Sequence, residues 1–265
     1  MKAVPRHGSS SDAFETREDV IAHAEAAIDR AERAMPEWFA TPGETPIVVE
    51  PIARNIESSF PAGFYGPPAG PDDTARYVVN TGRHEERRLL SEAIAFHEAI
   101  PGHHTTFAVP AAAGNGPGNF ESGFAEGWAV YAETLADEMG LYSSTLDRIG
   151  LVAKRLWTTS RLVVEPGIQL HGWSRERAID FMLEHTALPQ SEIELEVDRY
   201  VAIPGQSLAY MLGHLDFRRM RREARDRLGE RFDIREFHDI VLTPGRRPLP
   251  EVAADVERWA SIDSS

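Results

Sequence analysis

Residues 96–104 read FHEAIPGHH and place three histidines and one glutamate within eight positions, at the end of an apolar run. Imidazole nitrogens are ligands for divalent metals, and a carboxylate beside them can act as a base. The familiar zinc motif, His-Glu-x-x-His on one helix, has its two histidines one turn apart. Here Pro101 stands where the second histidine of that motif would be.

The pair Pro101-Gly102 predicts a break or bulge in the helix. In an unbroken helix His104 would lie on the same face as His97, but about 10 Å further along. A distorted turn could instead return either His103 or His104 to the side of His97, and the sequence leaves both open. The alternative is a histidine-rich helix end without a metal, where a charged imidazole favours the helix dipole.

A second helical stretch, residues 121–133, follows a Gly/Pro-rich loop at 114–118 and carries Glu126 among apolar neighbours. Two antiparallel helices joined by such a loop can face each other across one ion. A carboxylate in an apolar setting is costly unless it is paired or bound to metal. We therefore predict Glu126 as the third ligand; the alternatives are a helix cap or a partner for an arginine.

The composition limits the class of protein. The chain has 265 residues, 42% of them hydrophobic, which is enough for a substantial core. A net charge of −14 argues against nucleic acid as a partner, and the lack of cysteine excludes disulfides and thiolate zinc sites. Because no apolar run reaches transmembrane length and the first residues hold no apolar signal segment, we expect a cytoplasmic protein with no membrane partner.

Hydrophobic periodicity predicts a mainly α fold with a small β-sheet near the N-terminus. Residues 1–15 are expected to be a disordered tail, and 16–265 a single domain. The first helix is predicted at 18–35, short strands at 47–52 and 74–80, and a Pro/Gly-rich loop at 60–73 between them. Further helices are predicted at 147–164, 174–185, 191–203, 206–228, 233–238 and 250–260.

Taken together, several stretches resemble the bacterial family known as domain of unknown function 885. They are residues 97–104, 121–133, 161–164 and 196–210. That family is similar to the gluzincin metallopeptidases, which use His-Glu…His and a downstream Glu and place a small sheet over the cleft. The resemblance, from about residue 45 to about residue 255, implies a gluzincin-like, Zn²⁺-dependent hydrolase of peptide or amide bonds. Members are usually about twice this long, so the chain resembles their C-terminal, metal-bearing half.

The catalytic groups are predicted beside the ligands and in the second half of the chain. Glu98 adjoins the first ligand histidine and is expected to be the general base for water. By resemblance to gluzincins, Tyr210 or Tyr200 would stabilise the oxyanion; the alternative for each is a core tyrosine with a satisfied hydroxyl. Arg199 could hold a substrate carboxylate in a bidentate fork, or could simply pair with a neighbouring carboxylate.

One departure from the family pattern is Gln169, where members tend to have a histidine after Val-Asp-Thr-Gly-Ile. A glutamine donates a hydrogen bond but carries no proton, which leaves two other hypotheses open. In the first, the chain is a metal-dependent enzyme of small-molecule biosynthesis on the same scaffold; in the second, it is a catalytically silent binding subunit. The expected substrate is a peptide or small amide. Because such clefts are built between two halves, we expect a homodimer or a partner chain.

Overall fold

Helices dominate the computed structural model, which describes residues 13–70, 73–119 and 121–261. The elements in chain order are α1 (Arg17–Trp38), β1 (Ile47–Pro51), β2 (Gly63–Gly66), β3 (Ala75–Val79), α2 (Ser91–Glu98), α3 (Thr105–Ala112), α4 (Ser122–Glu138), α5 (Thr145–His171), α6 (Arg175–His185), α7 (Gln190–Ala202), α8 (Leu208–Leu228), α9 (Ile234–Leu242) and α10 (Leu249–Ser261). Short 3₁₀ turns lie at 54–59, 84–86, 88–90 and 229–231. The predicted mainly α class with a small sheet near the N-terminus is confirmed.

The sheet has the strand order β1-β3-β2, with β1 parallel and β2 antiparallel to β3. The two predicted strands are present as β1 and β3. The prediction that residues 60–73 are only a loop is wrong, because β2 lies inside that range. Gly63 allows the close approach that β2 needs, since a Cβ there would lie 2.8 Å from the ring of Tyr77. Backbone pairing with β3 therefore overrides the local Gly/Pro composition.

Capping explains where the first helix begins, and packing explains how far α5 runs. Thr16 and Asp19 form a reciprocal capping box at the start of α1.

Helix α5 was expected to end at residue 164 but continues through Pro166 to His171. Gly167 lies on its buried face, where an added Cβ would be 2.5 Å from the ring of Trp173. Tertiary packing thus holds the helix beyond a residue that weakens it locally.

The buried side chains form two clusters. The larger one joins the sheet, α1, α2, α4, α8, α9 and α10 around Trp128, and the smaller one joins α5, α6 and α7 around Met182. Helices α4 and α8 approach very closely at Gly127 and Gly213, since a Cβ on Gly127 would lie 2.5 Å from the Cα of Gly213. This contact brings the start of α8 beside the face of α4 that carries Glu126.

The predicted disordered tail covers residues 1–15, and residues 1–12 of it lie outside the described residues. Of its last three residues, Phe14 packs into the larger cluster. The single domain over 16–265 stays a prediction. Within the described part of the chain, no helix combines the length and apolar character needed to cross a membrane.

Candidate metal centre

Two histidines and one glutamate converge where α2 meets α4. His97 comes from the last turn of α2, His103 from the turn that follows it, and Glu126 from α4. Glu126 Oε2 lies 3.5 Å from His97 Nε2 and 3.4 Å from His103 Nε2. Ligands on a tetrahedral zinc with bonds of about 2.0–2.1 Å are separated by roughly 3.3 Å. Both distances from Glu126 therefore match a zinc site, and all three donors lie within 4.8 Å of one another.

The turn after α2 decides which histidine joins the site. The His103 N–H donates to the carbonyl of His97 at 2.8 Å, which folds the chain back on itself. Only glycine fits at position 102, because an added Cβ would lie 1.9 Å from that same carbonyl oxygen. The predicted break at Pro101-Gly102 is thus observed, and it delivers His103 to the side of His97.

His104 points away from the ligands, so the alternative that assigned it to the metal is wrong. Its Nε2 donates to the carbonyl of Thr45 at 2.9 Å, and its Nδ1 lies 3.2 Å from the hydroxyl of Tyr65. The side chain is buried, and burial lowers its pKa to about 4. His104 is therefore a neutral structural residue that ties the start of α3 to β2 and the loop before β1.

The charge and hydrogen bonds of the Glu126 carboxylate show whether these residues fit a cation. Burial opposes its charge, but the imidazoles of His103 and His97 outweigh this and hold the pKa of Glu126 well below its usual range. Its Oε1 accepts from Gln206 Nε2 at 3.2 Å, whereas its buried Oε2 has no hydrogen-bond donor in good geometry. An ionised, under-coordinated oxygen facing two imidazoles fits a divalent metal.

Glu133 orients the first ligand from behind. Its Oε1 accepts from His97 Nδ1 at 2.7 Å and from Lys154 Nζ at 3.0 Å. Burial disfavours its charge, but Lys154 and His97 outweigh that effect and lower the pKa of Glu133 to about 2. With the proton on Nδ1, the Nε2 lone pair of His97 faces the site, as in carboxylate–histidine–zinc arrangements. Glu133 follows Glu126 by two turns of α4, but its pairing with His97 could not be predicted from that spacing.

Replacing Glu133 with glutamine is expected to weaken zinc binding by about 10–100-fold, because the oriented, more basic form of His97 is lost. Chelator competition measures the dissociation constant. Glu138→Gln, the same change on the same helix at an exposed ion pair with Arg221, should leave zinc affinity unchanged. Since Glu133→Gln also leaves the Lys154 charge buried, the double variant with Lys154→Met separates loss of stability from loss of affinity. Equal zinc affinity in the wild type and both Glu133 variants would refute this role.

Glu98 lies beside the ligands without joining them. Its Oε2 is 4.0 Å from His103 Nε2, and its side chain is 14% exposed to the cavity described below. Burial raises the pKa of Glu98 to about 7, with Glu126 acting in the same direction and His103 against it. A carboxylate with that pKa can both accept and return a proton near neutral pH.

Tyr210 covers the first ligand from the opposite wall. Its ring stacks on His97 with the centroids 5.8 Å apart and the planes at 8°. Its hydroxyl lies 3.4 Å from Gln206 Nε2, and burial raises its pKa to about 12, so it remains a donor. The turn that carries Gln206 is fixed by Glu165, whose carboxylate accepts from the Gly205 N–H and the Ser207 hydroxyl.

Tyr200, the other predicted oxyanion donor, is not in the cavity wall. It is 1% exposed, and its hydroxyl donates to Glu196 at 2.9 Å and accepts from Arg161 Nε at 3.1 Å. It is a core tyrosine of the smaller cluster. Gln169 lies behind it and donates to the Tyr200 carbonyl at 2.9 Å. The departure from the family pattern at Gln169 is therefore outside the cavity wall.

One cavity of about 530 Å³ contains the candidate ligands, Glu98 and Tyr210. This volume lies within the range of about 300–1,000 Å³ found for small-molecule sites. Residues 63–65 of the edge strand β2 and the two residues before it, 61–62, form one wall. Helices α5, α7 and α8 supply a basic wall that includes Lys154, Arg161 and Arg199. Both the predicted Arg199 and Tyr210 are thus brought to the site.

A second group of possible ligands, His23 with Glu92 and Asp147, lies where α1, α2 and α5 meet. Arg30 pairs with Glu92, and Arg88 pairs with Asp147. These guanidinium groups already neutralise both carboxylates, so the cluster is an ion-pair network that holds three helices together and does not fit a further cation.

Comparison with known proteins agrees with the resemblance seen in the motifs. The profile of a family described as a bacterial protein of unknown function, domain of unknown function 885, matches residues 3–256. A search of curated proteins finds no significant match.

Two solved structures are similar in fold. A putative lipoprotein from Colwellia psychrerythraea is 29% identical with a TM-score of 0.87, over 95% of this chain and 45% of its own. A putative lipoprotein of unknown function from Shewanella oneidensis is 21% identical with a TM-score of 0.71, over 92% of this chain and 46% of its own. The chain thus spans about half the length of each. The predicted cytoplasmic location is contradicted, because lipoproteins are membrane-anchored and usually lie outside the cytoplasm.

Proposed function

The chain belongs to the domain of unknown function 885 family, and from the geometry of its site we propose that it is a zinc-dependent hydrolase of peptide or amide bonds. The observation that carries this proposal is the convergence of His97, His103 and Glu126 on one point, with Glu98 beside them in one cavity. In this proposal the chain corresponds to the metal-bearing half of longer relatives and is related to the gluzincin metallopeptidases.

His97, His103 and Glu126 would hold the ion with three protein ligands, which leaves a position open to the cavity. Zinc bound there would acidify a water molecule and polarise the carbonyl of the substrate. The buried Glu133 keeps His97 in the tautomer that binds metal.

The proton chemistry belongs to the chain's own residues. Glu98 takes a proton from the attacking water and returns it to the leaving amine, two steps that need a carboxylate of near-neutral pKa. The hydroxyl of Tyr210 donates a hydrogen bond toward the oxygen that gains negative charge, and Gln206 supports that hydroxyl. The strand β2 is an edge strand and its residues 63–65 line the cavity, where an extended peptide could pair with it.

A peptide-library digest tests the proposal. Zinc-loaded protein is incubated with the library, and new chain ends are identified by mass spectrometry. We expect cleavage that stops on removal of metal by a chelator and returns when zinc is added back. Absence of any cleavage by protein shown to contain one zinc would reject peptide hydrolysis. It would favour the alternatives of small-molecule chemistry or a silent binding subunit.

We also propose that the protein forms a homodimer through α5. One face of this helix carries exposed apolar side chains at spacings of three, four or seven residues. They are Ile149, Val152, Leu156, Val163 and Leu170. The stripe covers 22 residues, whose 21 steps of 1.5 Å give roughly 32 Å. Monomers seldom expose apolar patches of this extent, and a stripe on one helix can pack on its own copy about a two-fold axis.

Light scattering at micromolar concentration is expected to give twice the mass of the chain. Leu156→Glu, in the middle of the stripe, should shift the protein to monomer. Leu195→Glu, an exposed leucine on α7 outside the stripe, should leave the dimer intact. A wild-type protein that is monomeric under these conditions would contradict the proposal.

A further inference from the structure

Two arginines of the basic wall share a single carboxylate. Arg161 Nη2 donates to Glu196 Oε2 at 2.9 Å, and Arg199 Nη2 donates to the same oxygen at 3.1 Å. The Arg161 side chain is 2% exposed and that of Arg199 is 32% exposed, and all three residues line the cavity. One carboxylate cannot neutralise two guanidinium groups, so the trio keeps an excess of one positive charge.

The hydrogen-bond donors of the two arginines are also only partly used. Arg161 Nη1 and Arg199 Nε are buried and have no acceptor among the described residues. The remaining charged groups of this wall are already paired, since Lys154 binds Glu133 and the neighbouring Glu192 binds Arg87. Buried polar groups are normally satisfied, and a charged donor without an acceptor is especially costly. The missing partner should thus be a single negative charge with acceptor oxygens.

We propose that Arg161 and Arg199 bind a carboxylate of the substrate. Guanidinium groups recognise carboxylates through paired N–H donors in a planar fork, and Arg199, with 32% of its side chain exposed in the cavity wall, is the one that a ligand can contact directly. The excess of one positive charge matches a singly charged carboxylate better than a doubly charged phosphate. The carboxylate is either the C-terminus of a peptide or the acid group of a small amide.

The distance between this pair and the candidate metal ligands limits the size of the piece that carries the carboxylate. The His97 and Tyr210 ring centroids are 5.8 Å apart, and Arg161 Cζ lies 4.1 Å from the Tyr210 centroid. The Arg161 guanidinium carbon and the centre of the His97 ring are therefore separated by no more than the sum of these two distances. An extended chain covers about 3.3–3.6 Å per residue, so about three residues span that separation. If the proposed hydrolysis is correct, the bond cleaved lies one to three residues from the C-terminus.

Binding of two matched peptides tests the inference without relying on turnover. The probes are N-acetyl-trialanine with a free carboxylate and the same peptide as a C-terminal amide, measured by calorimetry on zinc-loaded Glu98→Gln protein. We expect the acid to bind on the order of 10-fold tighter or more, as a charge-assisted pair would give. Adding Arg199→Gln should abolish the preference. Arg175→Gln, an exposed pair with Asp198 outside the cavity, should keep it.

Equal affinity for acid and amide, no measurable binding of the acid, or a preference that survives Arg199→Gln in correctly folded protein would each overturn the carboxylate site. The inference and the proposed hydrolysis fail in different ways. Preferential binding of the acid with no cleavage of either peptide by the wild type would reject hydrolysis and retain the carboxylate site. Cleavage of both peptides, together with equal affinity for the two, would retain the proposed hydrolysis and reject the carboxylate site.

Discussion

His97→Ala is expected to remove bound zinc almost completely from the purified protein. In the proposed site His97 supplies a direct ligand atom and is also the residue through which Glu133 supports the site. Loss of an outer partner alone typically costs about 10–100-fold in affinity, so loss of the ligand itself should reduce zinc content to below roughly one tenth of the wild-type value. Elemental analysis of zinc per chain measures this directly.

The neighbouring histidines provide the matched comparison. His103→Ala should lose zinc to the same extent as His97→Ala, whereas His104→Gln should retain it. Glutamine at position 104 can still donate to the Thr45 carbonyl, which limits the effect on folding. Full zinc occupancy in folded His97→Ala protein would eliminate the site, and loss of zinc only in the position 104 variant would restore the rejected ligand.

Glu98→Gln is expected to lower turnover of a cleaved peptide by about 10²–10⁴-fold while zinc content stays at the wild-type level. The amide keeps the shape of the side chain but cannot accept a proton from water. Single-turnover rates at saturating substrate separate this loss from weaker binding. Glu138→Gln again serves as the control because its side chain pairs with Arg221 away from the cavity.

Undiminished turnover in Glu98→Gln would show that another group accepts the proton. Loss of zinc together with activity would instead make Glu98 part of the ligand set, which its 4.0 Å distance from His103 Nε2 does not suggest. The two measurements together therefore separate a base from a ligand.

The helical framework could be predicted because periodicity and capping are local properties of the chain. The first helix, predicted at 18–35, is observed at Arg17–Trp38, with Thr16 and Asp19 capping its start. The strand β2 could not be predicted in this way, because Gly63 and the prolines around it disfavour a strand locally and only the edge of β3 makes it form. The end of α5 was missed for a similar reason, since Pro166 is tolerated within a packed helix.

The candidate site divides in the same manner. Residue type and order were sufficient to predict His97, Glu98 and Glu126 in one place. The choice between His103 and His104 depends on the path of the turn at Gly102, which is a matter of a few dihedral angles. The two tyrosines, at 200 and 210, could not be separated by sequence, because only packing shows which one faces the cavity.

The order of these residues along the chain has a consequence for how the family can diversify. The candidate ligands, the candidate base and the carboxylate behind His97 all lie within residues 97–133, whereas the arginine pair and Tyr210 come from residues 161–210. The candidate ligands and the candidate base thus lie in one segment, whereas the arginine pair and Tyr210, the proposed oxyanion donor, lie in a later one. In the proposed carboxylate site, substitutions of the two arginines would change which molecules are accepted while residues 97–133 keep the candidate ligands and base, so relatives that share residues 97–133 need not share a substrate.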